Sequence, residues 1–518
     1  MRALLLYPRF PQSFWSFEKT LALVDCKALL PPLGLITVAA IFPKEWEYKL
    51  VDRNVRSVTE AEWQWAELVI ISGMIVQKTD MLDAIAEAKS YGLPIAVGGP
   101  YATSLPDEVA AADYLILDEG EVTIPLFVEA FNQGAKQGTF RSAEKAAVTE
   151  TPIPRYDLLE LDAYDNMSVQ FSRGCPFQCE FCDIIVLYGR KPRTKEPKQV
   201  IAELEFIYNL GWRGGVFMVD DNFIGNKRNV KRLLKELRVW MKEKDYPFSF
   251  DTEASVDLAK DSELMELMVD CSFKKVFLGI ETPDESSLAL TQKYQNTRDP
   301  LTESVDKITR TGLQVMAGFI IGFDNEKSGA GDRIVEFVEK TGIPMAMFSM
   351  LQALPNTALW HRLEKEGRLL NQGANINQTT LMNFVPTRPI EDIAREYVNG
   401  FWKLYDPARF LDRTYRYYLK LGAPKHSSKR NIDLKTIKAL LTICWRQGVV
   451  RSTRWKFWYN IIRIYLRSPR LVPLYFVSCA NIEHFTEYRE IVRDKINAQL
   501  AAYLATKKEQ EEEVAVTV

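Results

Sequence analysis

Phe171-Ser172-Arg173-Gly174-Cys175-Pro176-Phe177-Gln178-Cys179-Glu180-Phe181-Cys182 is the stretch on which the reading of this chain turns. It overlaps the end of the apolar run MSVQFS (167–172), so a CxxxCxxC spacing falls in the loop directly after a strand. Three of the seven cysteines are crowded into eight residues and four are scattered. That is not the even, distributed pattern of a secreted disulfide framework, and it points to a reducing compartment and to metal or redox chemistry. Thiolates are the ligands of iron–sulfur clusters, and a four-iron cluster has four corners to fill, so three local cysteines leave one iron open. An open position separates a metal site that does chemistry from one that only holds structure. Two competitors fit the spacing less well. Structural zinc wants a closed tetrahedral set, yet His361, His426 and His484 all lie far downstream, and a thioredoxin-like CxxC would use Cys179 and Cys182 but leave Cys175 unexplained. Cys26, Cys271, Cys444 and Cys479 read as buried small hydrophobes.

Working outward from this loop, the apolar runs GVFMVD (215–220), FSFDTEA (248–254), KVFLGIE (275–281), VMAGFIIGF (315–323) and MAMFSML (345–351) alternate with helical patterns at 198–210, 227–243 and 261–270. With 167–172 they make six strand–helix units, a partial (β/α)6 TIM-like barrel whose chemistry would sit at the strand carboxyl ends. Upstream, ALLLYP (3–8), YKLVD (48–52), LVIISG (68–73), PIAVGG (94–99) and YLILDE (114–119) read as five buried parallel strands. Helical patterns at 34–42, 79–92 and 121–131 lie between and after them. An α/β, doubly wound sheet of Rossmann or flavodoxin type follows, and such sheets bind ligands at strand carboxyl ends. Here those ends carry Asp52, Ser72-Gly73, Gly98-Gly99-Pro100 and Asp118-Glu119-Gly120-Glu121. The glycines either admit a large ligand to the backbone or only make tight turns.

A chain of 518 residues is too long for one core. The expected parts are an N-terminal domain at 1–140, a polar linker at 141–165, a core at 166–387, a mainly helical domain at 388–505 and a disordered acidic tail at 506–518. A formal net charge of −2 gives no general drive towards nucleic acid. No run of eighteen uncharged apolar residues occurs, and the opening MRALLLYPRFP reads as a first strand rather than a leader, so a cytoplasmic protein is expected. Locally, residues 425–470 carry twelve Lys or Arg against the single acid Asp433, interleaved with Trp445, Trp455, Phe457, Trp458, Tyr459 and Tyr465. Three readings stay open there: tryptophans packed inward with arginines solvated, peripheral contact with a membrane, and single-stranded nucleic acid, the last the least favoured.

The cysteine spacing on the loop after the first strand of a partial barrel resembles the radical S-adenosylmethionine superfamily. The resemblance implies a 4Fe-4S cluster on Cys175, Cys179 and Cys182, whose open iron chelates S-adenosylmethionine. Cleavage of the sulfonium bond would give a 5′-deoxyadenosyl radical that takes hydrogen from a carbon no base could deprotonate. Phe181 matches the aromatic near the adenine, Asp220-Asp221-Asn222 the groups that bind the methionine amine, and Glu281, Gly318 and Gly322 the later strand ends of the cofactor site. An electron donor such as flavodoxin or ferredoxin is implied as partner.

The N-terminal domain ahead of such a core resembles the cobalamin-binding class, which implies Asp52, Asn54, Ser72, Gly98, Gly99, Glu119, Gly120 and Glu121 as cobalamin contacts. Where the wider fold has an Asp-x-His-x-x-Gly motif, this chain has Asp52-Arg53-Asn54-Val55-Arg56-Ser57, so that loop offers cobalt no histidine. Either the domain holds cobalamin and the enzyme methylates an unactivated carbon through methylcobalamin, or it only caps the barrel and the radical drives a rearrangement, cyclisation or redox change. An iron–sulfur protein without turnover is a third reading. PRFPQSFWSFE, KALLPPLGLITVAA (27–40), LQALPNT (351–357) and IEHFTEYREIVRDKINAQL (482–500) resemble the subfamily that includes the hopanoid C-2 methylases. That kinship implies a hydrophobic, isoprenoid-type substrate.

Overall fold

The computed structural model describes residues 1–370, 376–426 and 434–517, without the side chains of 510–517. Asp433 and Val518 therefore lie outside the described residues. Two compact units divide the chain: Met1–Gln178, Cys182–Val276 and Pro424–Ala439 form the first, and Cys179–Phe181, Phe277–Ala423 and Leu440–Val518 the second.

In the first unit, strands β1 (Arg2–Tyr7), β2 (Glu47–Asp52), β3 (Leu68–Ser72), β4 (Ile95–Gly98), β5 (Tyr114–Ile116) and β6 (Gly138–Phe140) form one sheet in the order β2-β1-β3-β4-β5-β6. Every pairing in it is parallel. The longer helices here are α1 (Leu33–Ile41), α2 (Lys78–Ser90) and α3 (Gly120–Asn132). Because a strand's side chains alternate, Leu4 and Leu6 of β1 pack with Val69, Ile71 and the Met81, Ala84 and Ile85 face of α2. Ala3 and Leu5 pack on the other side with Leu35 and Ala39 of α1 and Ile124 and Phe127 of α3. Two apolar layers on two faces make the sheet doubly wound, and its order reverses between β1 and β3, where such sheets open a ligand crevice. All five strands expected from the sequence are present. A sixth, β6, lies in the polar segment after α3. It adds as an edge through backbone pairing, Tyr114 opposite Gly138, and needs little apolar sequence to do so.

The core strands follow in sequence. Strands β7 (Asn166–Val169), β8 (Ser172–Arg173), β9 (Arg193–Thr194), β10 (Gly215–Met218), β11 (Ser249–Ala254), β12 (Phe273–Glu281), β13 (Gln314–Ile321) and β14 (Met345–Met350) alternate with α4 (Pro197–Asn209), α5 (Lys227–Glu243), α6 (Ser262–Asp270), α7 (Leu301–Thr311) and α8 (Ala330–Thr341). Apart from the β8–β9 ribbon, they form a six-stranded sheet in sequential order, β14-β13-β12-β11-β10-β7, as a partial (β/α) barrel requires. The division into units runs through β12, with Phe273 packing on Phe250 of β11 in the first unit and Phe277 lying against Gly318 of β13 in the second.

In the second unit, β14 is an edge strand, and an open edge must be covered. Helices α9 (Ile390–Leu404), α10 (Pro407–Lys420), α11 (Leu434–Trp445), α12 (Arg454–Arg467) and α13 (Val472–Thr517) make up the mainly helical domain, the first residues of α11 falling in the first unit. The buried Tyr405 hydroxyl after α9 accepts from the Ala346 N–H (3.0 Å) and donates to the Ala346 carbonyl (2.7 Å). Tyr397 of α9 donates to the Phe348 carbonyl (3.1 Å), and the Tyr417 hydroxyl of α10 accepts from Val315 N–H (2.6 Å). On β14, the Tyr397 and Tyr405 hydroxyls thus bond backbone groups that a seventh strand would otherwise pair. The acidic tail, expected to be disordered, continues α13 as helix through Thr517, in keeping with the helix propensity of its Ala, Lys, Gln and Glu residues. Against the reading that packs the tryptophans inward, Trp445 and Trp455 are exposed, while Phe457 is buried.

Replacing Tyr405 with Phe keeps the ring and leaves the Ala346 N–H and carbonyl unmatched. Chemical denaturation should show a loss of about 1–3 kcal/mol, and an unchanged midpoint would contradict the edge-covering role.

Candidate functional site

The cysteine loop is built at its base from the first unit. Ser172 pairs with Thr194 and Arg173 with Arg193, so the antiparallel β8–β9 ribbon closes the loop from Gly174 to Pro192. Gly174 has φ 91°, and a side chain on it would lie 2.8 Å from the Gly189 carbonyl, so only glycine lets the loop fold back here. Cys175 then donates its N–H to Gly189 (3.3 Å).

The end of β10 reaches into the same base. The buried Asp220 carboxylate accepts from the Phe171 N–H (3.2 Å), the Ser172 hydroxyl (2.5 Å) and the Ser172 N–H. Burial pushes Asp220 up to about 7 against these donors. Asp221 accepts from the Gly174 N–H (3.0 Å), and burial raises it to about 6. Asn222 is tied to Ser255 after β11, through Oδ1 to the Ser255 N–H (3.3 Å) and Nδ2 to its hydroxyl (3.2 Å). The three residues read from the sequence as an amine-binding group therefore also hold the strand end and ribbon that carry Cys175.

Two carboxylates at the start of α3 grip the ribbon from the other side. Glu121 takes Arg173 in a two-pronged pair (2.7 and 3.0 Å) and accepts from the Thr151 hydroxyl (2.7 Å). Burial alone would raise the Glu121 carboxyl, but Arg173 wins and holds it at about 2. The buried Glu119 pairs with Arg193 (2.8 Å to one oxygen) and accepts from the Ala146 N–H (2.5 Å). The resemblance implies both as cobalamin contacts, and in the structure they hold the base of the cysteine loop.

At the end of β2, Asp52 is buried, with its carboxyl raised by burial, and it accepts from Asn54 N–H (2.8 Å), Asn54 Nδ2 (2.7 Å) and the Tyr164 hydroxyl (3.1 Å). Asn54 also accepts from Phe10 N–H (2.8 Å) and donates to the Pro8 carbonyl (3.3 Å), which locks the end of β1 to the end of β2. A side chain on Gly98 would lie 2.7 Å from the Ile116 carbonyl, and one on Gly99, φ 89°, would lie 2.5 Å from Ser72 Oγ. Close packing of β3, β4 and β5 thus explains this glycine pair. Gly120 sits against Ile124 of its own helix.

In the second unit, the segment Cys179–Phe181 is clamped by Thr291, which accepts from Glu180 N–H (3.3 Å), by Leu359, which donates to the Glu180 carbonyl (2.9 Å), and by Arg362, paired with the Glu180 carboxylate (3.0 Å). Gln295 Nε2 donates to Cys179 Sγ (3.7 Å). Phe181 lies 6.1 Å from Phe323, and the Lys293 ammonium is 5.8 Å from its ring. Glu281, at φ 65°, pairs with Lys293, and a side chain on Gly279 would collide with both. Asn296 donates to the Gly279 (2.9 Å) and Ile280 (3.0 Å) carbonyls, while its buried Oδ1 has no hydrogen-bond partner among the described residues. Gly318 makes room for Phe277, and Gly322, φ 98°, donates to Glu326 (2.9 Å). The stretch Lys293-Tyr294-Gln295-Asn296 was not singled out from the sequence, although four polar or ring-bearing residues follow closely on a strand-end glutamate.

None of the seven cysteines is disulfide-bonded. Cys175 and Cys182 belong to the first unit and Cys179 to the second, and among the described residues no three His, Cys, Asp or Glu side chains form a metal-binding group. The donor set nonetheless suits the cofactors that this arrangement implies. Three cysteine thiols on one short loop are iron ligands by type, the orphaned Asn296 oxygen calls for a donor such as an amine or amide, and Gly98-Gly99 present backbone without side chains at the end of β4.

Comparison with known proteins agrees. A B12 binding domain model matches residues 20–128, the Radical SAM superfamily model matches 169–338, and a domain of unknown function (DUF4070) matches 357–498. The chain is 66% identical to an uncharacterised methyltransferase of Synechocystis sp., covering 100% of this chain and 97% of the relative. It is 36% identical to the hopanoid C-2 methylase of Rhodopseudomonas palustris over 90% of each. The chain belongs to the cobalamin-binding radical S-adenosylmethionine methylases. The methyltransferase TsrM from Kitasatospora setae, solved with cobalamin and a 4Fe-4S cluster bound, shares the fold with a TM-score of 0.65 at 14% identity, covering 96% of this chain and 99% of that one. The family's cofactors are a 4Fe-4S cluster, S-adenosylmethionine and cobalamin.

Two outcomes follow. Replacing Cys175, Cys179 and Cys182 together with Ala should abolish iron binding and cluster absorbance after anaerobic reconstitution; retained absorbance would remove these residues as ligands. Replacing Glu121 with Gln leaves Arg173 buried without its countercharge and should cost on the order of 3 kcal/mol. Because the folded Glu121 carboxyl sits at about 2 against an ordinary 4.5, its contribution is fully present above about 4.5 and fades as pH falls towards about 2. The wild-type advantage over E121Q in unfolding experiments should shrink over that window, and an advantage that does not change with pH would contradict the pairing.

Proposed function

We propose that the chain methylates an unactivated carbon of a hydrophobic, isoprenoid-type lipid. The observation that carries this reading is the likeness to the hopanoid C-2 methylase, which covers 90% of this chain and so extends into the helical C-terminal domain. When bound, the three cofactors supply hydrogen abstraction from an unactivated carbon and the methyl group that replaces the hydrogen.

The residues of the chain divide the remaining work. Cys175, Cys179 and Cys182 would hold the cluster, on a loop whose base Asp220, Asp221, Arg173 and Arg193 keep in place. Phe181, Asp220, Asp221, Asn222, Glu281, Gly318 and Gly322 would bind S-adenosylmethionine, and the buried Asn296 oxygen adds an acceptor beside the end of β12. Asp52, Asn54, Ser72, Gly98, Gly99, Glu119, Gly120 and Glu121 would shape the cobalamin crevice. Asp52 and Asn54 act there by fixing the loops after β1 and β2. Glu119 and Glu121 act by tying that domain to the cysteine loop, so that cobalamin and cluster are carried by one connected set of ion pairs. A one-electron donor such as flavodoxin or ferredoxin would reduce the cluster, and a cytoplasmic site of action suits the crowding of three of the seven cysteines into eight residues.

The test is anaerobic reconstitution with iron, sulfide and hydroxocobalamin, then incubation with methyl-labelled S-adenosylmethionine, a reductant and polycyclic isoprenoid lipids. Near-stoichiometric cobalamin and label on a lipid carbon are expected. A cluster and 5′-deoxyadenosine formation without bound cobalamin would overturn methyl transfer in favour of a radical rearrangement, cyclisation or redox change.

A further inference from the structure

Helix α12 carries two apolar stripes. Phe457, Asn460 and Ile464 are buried and face the protein, with Asn460 bonded to Tyr475 (3.0 Å). Trp455, Tyr459, Ile462 and Leu466, spaced i, i+4, i+7 and i+11, occupy the opposite side, and they are exposed by 75, 57, 57 and 72%. The outward face of a surface helix is ordinarily polar. On α11, Leu441 and Trp445 are likewise exposed, by 66 and 63%, while Ala439 and Ile443 are buried. Large apolar side chains gathered outward at helical spacing mark an interaction surface rather than scattered exposure.

The charge around this surface selects its partner. From Leu434 to Ile482 the sequence holds nine Lys or Arg and no Asp or Glu. Lys456 is anchored to Asp412 of α10 (2.6 Å) and Arg451 to Glu483 of α13 (3.1 Å), while the Arg454 guanidinium stands 5.9 Å from the Trp455 ring. A second copy of the chain docking here by two-fold symmetry would set cations against cations. A bilayer with anionic headgroups satisfies both features: tryptophan and tyrosine favour the interface, and each basic residue near such a surface gains from its negative potential. No helix among the described residues is long and apolar enough to cross a membrane, so the contact is peripheral, with the helix lying along the interface.

We infer that the outward face of α12 is a peripheral docking surface for an anionic lipid bilayer. This goes beyond the reaction proposed above and stands apart from it, since docking needs no turnover.

The test uses the full chain, reconstituted with its cofactors, in flotation with unilamellar vesicles of phosphatidylcholine alone or mixed with phosphatidylglycerol. The protein should float with the phosphatidylglycerol vesicles, much less with phosphatidylcholine alone, and less again at high salt. The exposed-position variant Trp455→Ser/Leu466→Ser should lower partitioning by about tenfold or more, as should the charge reversal Arg454→Glu/Arg463→Glu at two exposed arginines of α12, with thermal unfolding and 5′-deoxyadenosine formation unchanged in both. Absence of flotation with either vesicle would overturn the inference, as would variants that bind like wild type. Lipid-free dimers that these variants dissociate would assign the face to a second copy instead. Failure of methyl transfer would leave flotation unaffected, so the two ideas fail separately.

Discussion

The buried carboxylate of Asp220 is the constraint on which the arrangement rests. It takes three donors from Phe171 and Ser172, the residues immediately before the ribbon that carries Cys175, and in doing so fixes the end of β10 to the entrance of the cysteine loop. A carboxylate kept out of water is costly unless it is richly hydrogen-bonded. A shift of this strand end would therefore cost both the bonds and the solvation. The Glu119–Arg193 and Glu121–Arg173 pairs extend the same principle to the N-terminal domain. They are buried ion pairs whose loss on one side strands a charge on the other, so the sheet with the crevice and the ribbon with the cysteines hold a fixed relation within the first unit.

Much of this was legible in the sequence because its determinants are local. Apolar runs of four to eight residues separated by helical spacing gave every strand of the N-terminal sheet except β6, whose pairing is with backbone and leaves no apolar signature. The cysteine spacing identified the loop. What the sequence did not reveal was long-range partnership. Glu119 and Glu121 stand at strand and helix ends where a ligand contact and an ion pair to a residue fifty or more positions away look alike. Asn54 stands where a histidine would ligate, yet its amide is engaged by Pro8, Phe10 and Asp52. The glycines at 98 and 99 answer to the Ile116 carbonyl and the Ser72 hydroxyl, both of which are distant in sequence.

The C-terminal helices show a second limit of sequence reading. In α12 both the 455/459/462/466 stripe and the 457/460/464 stripe are compatible with a helix that packs on one side, and periodicity cannot say which side faces inward. Packing against α10 and α13 decides it, placing Phe457 and Ile464 inside and the tryptophan outside. The same domain closes the open edge of the core sheet through tyrosine hydroxyls, so one set of helices completes the catalytic scaffold and presents an apolar, cationic exterior.

The central claim is that the cysteine loop holds a cluster with one iron open to S-adenosylmethionine. Electron paramagnetic resonance of the reduced, reconstituted protein, recorded with and without S-adenosylmethionine, tests it most directly. The account predicts a four-iron signal whose g-values shift when S-adenosylmethionine is added and that is absent from the protein lacking the three cysteines. An intact cluster signal that S-adenosylmethionine leaves unchanged would contradict it.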